Sequence, residues 1–267
     1  MKTTNKSKKI RIMKIVLIIL IAVLAALAVI AIVRRIIYQN QLKLQENIYD
    51  NLRIEAPSSS SGTVASPIHD FDELAAENPD IYSYITVPGT QVDYPVLQNK
   101  ERDYYLNRNL DLSQGYPACL YTNPENAKDY SDYITVIYGH NMKNKTMFGS
   151  LHSYDDEAFF KENNTFEIET RDALYKYQIF AAVNYNDDYI PQYYNVKSYD
   201  SVSSFITSMK EEGTKKTPDY FDTENEPSDG DKIVVLSTCI GGQDDRRLLV
   251  VGKLVDTVMY SSGSMTN

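Results

Sequence analysis

Few side chains in this sequence can carry covalent or proton-transfer chemistry: two cysteines, Cys119 and Cys239, and three histidines, His69, His140 and His152. Cys239 closes the run Ile233-Val-Val-Leu-Ser-Thr-Cys239, and a short polar stretch leads to Arg247 eight residues later, directly before Leu248-Leu-Val-Val-Gly-Lys-Leu254. Two buried strands joined by a turn would bring that guanidinium back beside the thiol. The pair would be a potential nucleophile and a permanent cation. His140 follows a third apolar run, Tyr133-Ile-Thr-Val-Ile-Tyr138, through Gly139. An imidazole at a strand end can accept or hold the proton of a thiol, and a fixed cation can stabilise an acyl-transfer oxyanion. Each residue also has a plain reading, in which the cysteine is inert core and the histidine structural. His69 and His152 lie in polar surroundings and read as solvent-facing. Asp244, Asp245 and Arg246 read as an ordinary charged turn. No Cys-x-x-Cys or His-x-x-x-His spacing suggests a metal, and no cofactor is expected.

The elements that must hold these residues are mostly strands. Runs rich in Val, Ile and Tyr cover Val92–Leu97, Ala118–Tyr121, Tyr133–Tyr138, Thr165–Thr170, Ala173–Val183, Lys232–Leu236 and Leu248–Val255, each bounded by turn formers. A helical pattern spans Asp70 to Ile85, with Asp70 placed to cap it, and a second spans Asp200 to Glu212, with Val202, Phe205, Ile206 and Met209 on one face. Many short strands with few helices predict a mainly β fold, a barrel or sandwich.

The amino-terminal end is different in kind. Ile15 to Val33 is an apolar run of 19 residues, about a bilayer's thickness as a helix. Residues 1–35 hold 8 of the 27 basic residues and none of the 36 acidic ones. The remainder therefore has 19 basic residues against 36 acidic, a formal charge of −17 that excludes nucleic-acid binding by phosphate neutralisation. The run is long and ends in Arg34-Arg35, which favours an uncleaved anchor over a cleaved signal peptide. The larger basic cluster before it predicts a cytoplasmic N-terminus and an extracellular body. The expected organisation is a basic tail (1–14), a transmembrane helix (15–33), a stalk and Ser/Pro-rich linker (34–67), a catalytic domain (68–258) and a C-terminal tail (259–267). Two cysteines predict no disulfide framework, and Cys119 reads as core.

Ile137-Tyr-Gly-His-Asn-Met142, Lys145-Thr-Met-Phe-Gly149 and Leu236-Ser-Thr-Cys239 with Arg247 together resemble the class B sortases, membrane-anchored cysteine transpeptidases of Gram-positive bacteria. The position of the Asp200–Glu212 helix fits class B better than class A. Val235 stands where that family's motif usually has Thr, and Gly115-Tyr-Pro-Ala-Cys-Leu-Tyr121 lacks its common Phe-x-Asp. The resemblance implies an eight-stranded sortase-type barrel and cleavage of a sorting pentapeptide after Thr. Cys239 would be the nucleophile, His140 the acid that protonates the leaving amine, and Arg247 the oxyanion stabiliser. Ser237, Leu106, Tyr189 and Ile190 would line the peptide groove. The implied partners are surface proteins or pilins bearing the motif, and lipid II or another amine acceptor. The alternatives are a non-catalytic membrane-tethered binding ectodomain and a hydrolytic cysteine peptidase.

Overall fold

The computed structural model describes residues 3–53, 66–213, 217–228 and 230–260. Two compact units divide after Asn47. In the first, helix α1 (Thr3–Leu52) carries the run Ile15 to Val33 with its large apolar side chains exposed, and is long and apolar enough to cross a membrane. The helix continues through the expected stalk. Residues 54–65 of the linker and 261–267 of the tail lie outside the described residues.

The second unit begins at Ile48. Helix α2 (Phe71–Glu77) is capped as its sequence predicts, the Asp70 carboxylate accepting from the backbone N–H groups of Asp72 and Glu73. It does not reach Ile85. Pro79 forces the residue before it out of the helical region, and Asn78 is extended at φ −153° and ψ 119°. The chain then enters strand β1 (Ile81–Thr86), which pairs antiparallel with β2 (Asp93–Leu97). The other strands are β3 (Leu120–Tyr121), β4 (Ile134–Tyr138), β5 (Thr165–Thr170), β6 (Ala173–Asn186), β7 (Asp219–Phe221), β8 (Ile233–Ile240) and β9 (Gln243–Met259). Between them lie helices α3 (Glu157–Glu162), α4 (Ile190–Tyr193) and α5 (Asp200–Gly213), with 3₁₀ segments at Tyr104–Asn107 and Phe148–Asp155.

The hydrogen-bonded order β5-β1-β2-β3-β4-β8-β9-β6 returns to β5 through the β5–β6 pairing, so eight strands close a barrel. Closure removes the open edges of the eight ring strands. β7 stands outside the ring, on β6 where β5 has run out. The pairs β2–β3 and β4–β8 are parallel and the rest antiparallel.

β4 and β8 read as unbroken apolar runs because both of their faces are buried. On one face Ile134, Val136, Ile233 and Val235, with Leu249 and Val251 of β9, pack against Val202, Phe205, Ile206 and Met209 of α5. Each of these side chains contributes about 1.5–3 kcal/mol by leaving water. That packing fixes the strands whose ends carry Cys239, His140 and Arg247.

Candidate active site

β8 and β9 join through Gly241-Gly242, and Gly242 takes φ +76°, a left-handed turn position suited to glycine. Cys239 and Arg247 are direct Cα partners across this pair. The next pairing is Ile240 with Gln243, so residues 244–246 of β9 have no opposite number on β8. This bulge re-aims the strand. Arg247 Nη1 donates to the carbonyls of Asp244 at 3.0 Å and Arg246 at 2.9 Å, and Nη2 lies 3.8 Å from Asp187 Oδ2. Arg246 points to the opposite face, since successive strand residues alternate. Contrary to a charged-turn reading, it is buried at 8% exposure, with Nε on Asn184 Oδ1 at 2.6 Å and Nη1 on Glu212 Oε2 of α5 at 2.8 Å.

β4 runs parallel to β8 with Tyr138 opposite Ser237, and the Gly139 N–H continues the ladder to the Ser237 carbonyl at 3.1 Å. His140 thus leaves β4 at the level of Cys239, one residue before the end of β8. A Cβ on residue 139 would collide with Leu120 and come within 2.6 Å of Phe148, so only glycine fits there. His140 Nε2 is 2.6 Å from the Leu106 carbonyl, and Tyr116 packs edge-on to the ring at 5.0 Å. A carbonyl only accepts, so Nε2 carries a proton and Nδ1 is left to exchange one. Burial lowers the pKa of His140, with the Leu106 hydrogen bond acting against it. The neutral ring is thereby favoured.

A groove of about 190 Å³ is lined by His140, Cys239 and Arg247, and also by Ser237, Leu106, Tyr189 and Ile190. All seven residues singled out from the sequence therefore face one cavity. Tyr138, Ser237 and Leu249 contribute from β4, β8 and β9. The Tyr189 wall is held from behind: its hydroxyl donates to Glu125 Oε2 at 2.8 Å, and the Arg102 guanidinium lies 4.3 Å from its ring centroid. Tyr138 Oη is buried with no hydrogen-bond partner among the described residues, although the side chain borders the groove.

Cys239 is exposed and Cys119 is a buried free thiol, as its reading as core implied. Burial pushes the Cys119 thiol up to about 12, so it stays protonated. The other two histidines are not solvent-facing. His69 stacks on Tyr84 and bonds Glu169 Oε2 through Nδ1 at 2.6 Å. His152 places Nε2 3.0 Å from the Cys239 carbonyl, which also accepts from Asn141 Nδ2 at 3.0 Å. Asn141 was legible as part of Gly-His-Asn, but nothing local ties His152 to Cys239, which is 87 residues away. Among the described residues, no group of three or more His, Cys, Asp or Glu side chains could hold a metal ion.

The Sortase domain family matches residues 85–255. Sortase B of Listeria monocytogenes is 29% identical over 226 residues, covering 82% of this chain and 87% of that protein. Sortase B from B. anthracis in complex with AAEK2 superposes with a TM-score of 0.62 at 29% identity, covering 82% of this chain and 97% of that one. A Streptococcus pyogenes class B sortase involved in pilus biogenesis gives 0.59 at 27% identity, covering 70% and 98%.

Proposed function

The chain belongs to the sortase family, within class B, and from that premise we propose a transpeptidase that cleaves a C-terminal sorting motif after Thr. Cys239 Sγ attacks the Thr carbonyl carbon as its thiolate, the proton residing on His140. The tetrahedral oxyanion accepts N–H bonds from Arg247. Collapse breaks the peptide bond, His140 gives its proton to the departing amine, and a thioester to Cys239 remains. An acceptor amine attacks that thioester, forms a new amide and returns the thiol. Burial of His140 makes its imidazolium a stronger acid, which suits protonation of a poor leaving group.

The observation that carries this reading is the direct pairing of Cys239 with Arg247 on a groove that His140 also lines. Ser237, Leu106, Tyr189 and Ile190 would hold the peptide, with the Tyr138 side chain bordering the same groove. The partners are surface proteins or pilins carrying the motif, and lipid II or another amine. Residues 1–14 would lie in the cytoplasm, 15–33 in the bilayer, and 68–258 outside as the catalytic domain, reached through the 34–67 stalk and linker.

The full chain in detergent should cleave a sorting-type peptide, and Cys239→Ala should remove that activity. Hydroxylamine or a glycine-based amine should accelerate turnover by relieving the thioester. Cleavage surviving in Cys239→Ala sinks the assignment, and indifference to amines makes the enzyme a hydrolase.

A further inference from the structure

Cys239 sits where the β8–β9 ladder lapses, between an unmatched bulge at residues 244–246 and the Gly241-Gly242 turn. At that point two side chains, Asn141 and His152, bond its carbonyl. His152 belongs to the 3₁₀ segment Phe148–Asp155, and its Nδ1 lies 3.2 Å from Asp155 Oδ2. One ring thus spans two groups that accept and cannot donate, a peptide carbonyl and a carboxylate. Neutral imidazole has a single N–H, so it satisfies one of them; only the imidazolium satisfies both.

We infer that His152 is a positioning residue for the nucleophile: its imidazolium clamps the Cys239 carbonyl to Asp155, fixes the end of β8, and releases it when the ring loses a proton. The released proton is the one facing the carbonyl, because the carboxylate is the stronger acceptor and keeps Nδ1–H. The charged groups acting on the ring are Asp155 on its own segment and Lys145 from the loop after β4; β8 contributes only the neutral backbone carbonyl of Cys239. The Asp155 hydrogen bond raises the His152 pKa most; the Cys239 carbonyl adds to it, and burial and Lys145 oppose it. The clamp is therefore closed at low pH and opens as pH rises through that raised value, a sense opposite to ionisation of a thiol.

The inference rests on the transpeptidase reading for its meaning, so the test has one readout that needs no peptide. Full-length protein in detergent is alkylated with iodoacetamide, Cys239 modification is followed by mass spectrometry, and kcat/KM for a sorting-type peptide is measured alongside, both over about pH 5 to 9. The wild-type to His152→Ala ratio should be about tenfold at the acid end, the size of one charge-assisted hydrogen bond, and fall toward one at the alkaline end. His152→Gln should restore most of the loss, since its amide still donates to the carbonyl, and its rate relative to His152→Ala should show no such fall. Asp155→Asn, which removes the group holding the proton, should move the fall to lower pH. A wild-type to His152→Ala ratio flat across the range in both assays overturns the clamp. Should His152→Ala not fold, an unshifted profile in Asp155→Asn together with a wild-type profile in His152→Gln does the same. Alkylation that follows the predicted ratios without any peptide cleavage would uphold the clamp and refute the transpeptidase.

Discussion

At the scale of single residues, adjacent arginines of identical chemistry have opposite fates. Arg246 is buried on Asn184 and Glu212, whereas Arg247 lines the groove opposite Cys239. Strand alternation decides between them, because Leu248 onward fixes which face residue 247 takes. Arg247 is gripped through Nη1 by two backbone carbonyls, leaving Nε, and Nη2 beside Asp187 at 3.8 Å, to face a ligand. Lysine keeps the charge but cannot satisfy both carbonyls and still present a rigid donor. Arg247→Lys should therefore lower kcat by about 10²- to 10³-fold, the loss typical of one oxyanion-hole donor. KM and the rate of Cys239 alkylation should change little. Steady-state kinetics showing kcat near wild type would remove Arg247 from the oxyanion role. The roles of Cys239, His140 and Arg247 could be suggested from sequence because each stands at the end of a recognisable run. Those of His69 and His152 could not, since Glu169 lies 100 residues from His69 and the Cys239 carbonyl 87 residues from His152, and polar neighbours imitate a surface.

At the scale of elements, the strands with two buried faces were the most legible, since burial on both sides writes itself as a continuous apolar run. The range Thr165–Thr170 and the helix from Asp200 emerged almost unchanged. β1 was hidden in an apparent helical period, and of the three residues that separate it from α2, Asn78-Pro79-Asp80, Pro79 forces the break. β3 keeps only the last two residues of the expected run Ala118–Tyr121, and β7 has three residues that are only half-buried, too short to leave a pattern. What the sequence hid most completely is a clasp on β5. Glu169 is buried at 4% exposure and accepts from the backbone N–H groups of Ile68 and His69, from the His69 ring and from the Tyr260 hydroxyl. It ties the start of the barrel domain to the residue after β9. Burial raises the Glu169 pKa, but the hydrogen bonds from His69, Tyr260 and the two backbone groups outweigh it and hold the carboxyl below its usual range. A depressed carboxyl contributes stability above the unfolded value of about 4.3 and loses it as pH falls through the folded value. Glu169→Gln should thus cost about 3 kcal/mol near neutral pH, as breaking a buried pair does. The gap should close in acid. Urea midpoints of the two proteins, compared from neutral pH downward, test this; a gap that persists unchanged in acid would show that the charge is not its source.

At the scale of the whole molecule, the candidate site and the candidate anchor lie in separate parts of the chain. The 8 basic residues that accompany the apolar run all lie within residues 1–35, and the acidic remainder folds as a unit starting at Ile48. All seven candidate site residues fall in that second unit, on strands and loops whose packing against α5 involves only residues of the same unit. The apolar window of α1 then has a role only if a bilayer covers it, since such a run left in water is an aggregation hazard. Removing residues 1–47 should move the protein from the membrane fraction to the soluble fraction. kcat/KM on a soluble sorting peptide should stay within about twofold, because no site residue is lost. The deletion should instead slow transfer to a lipid-linked amine in vesicles, where tethering supplies the effective concentration that the second encounter needs. Fractionation and the two rates separate these effects. A truncated protein that still sediments with membranes would refute the anchor, and equal transfer rates on vesicles would refute its kinetic role.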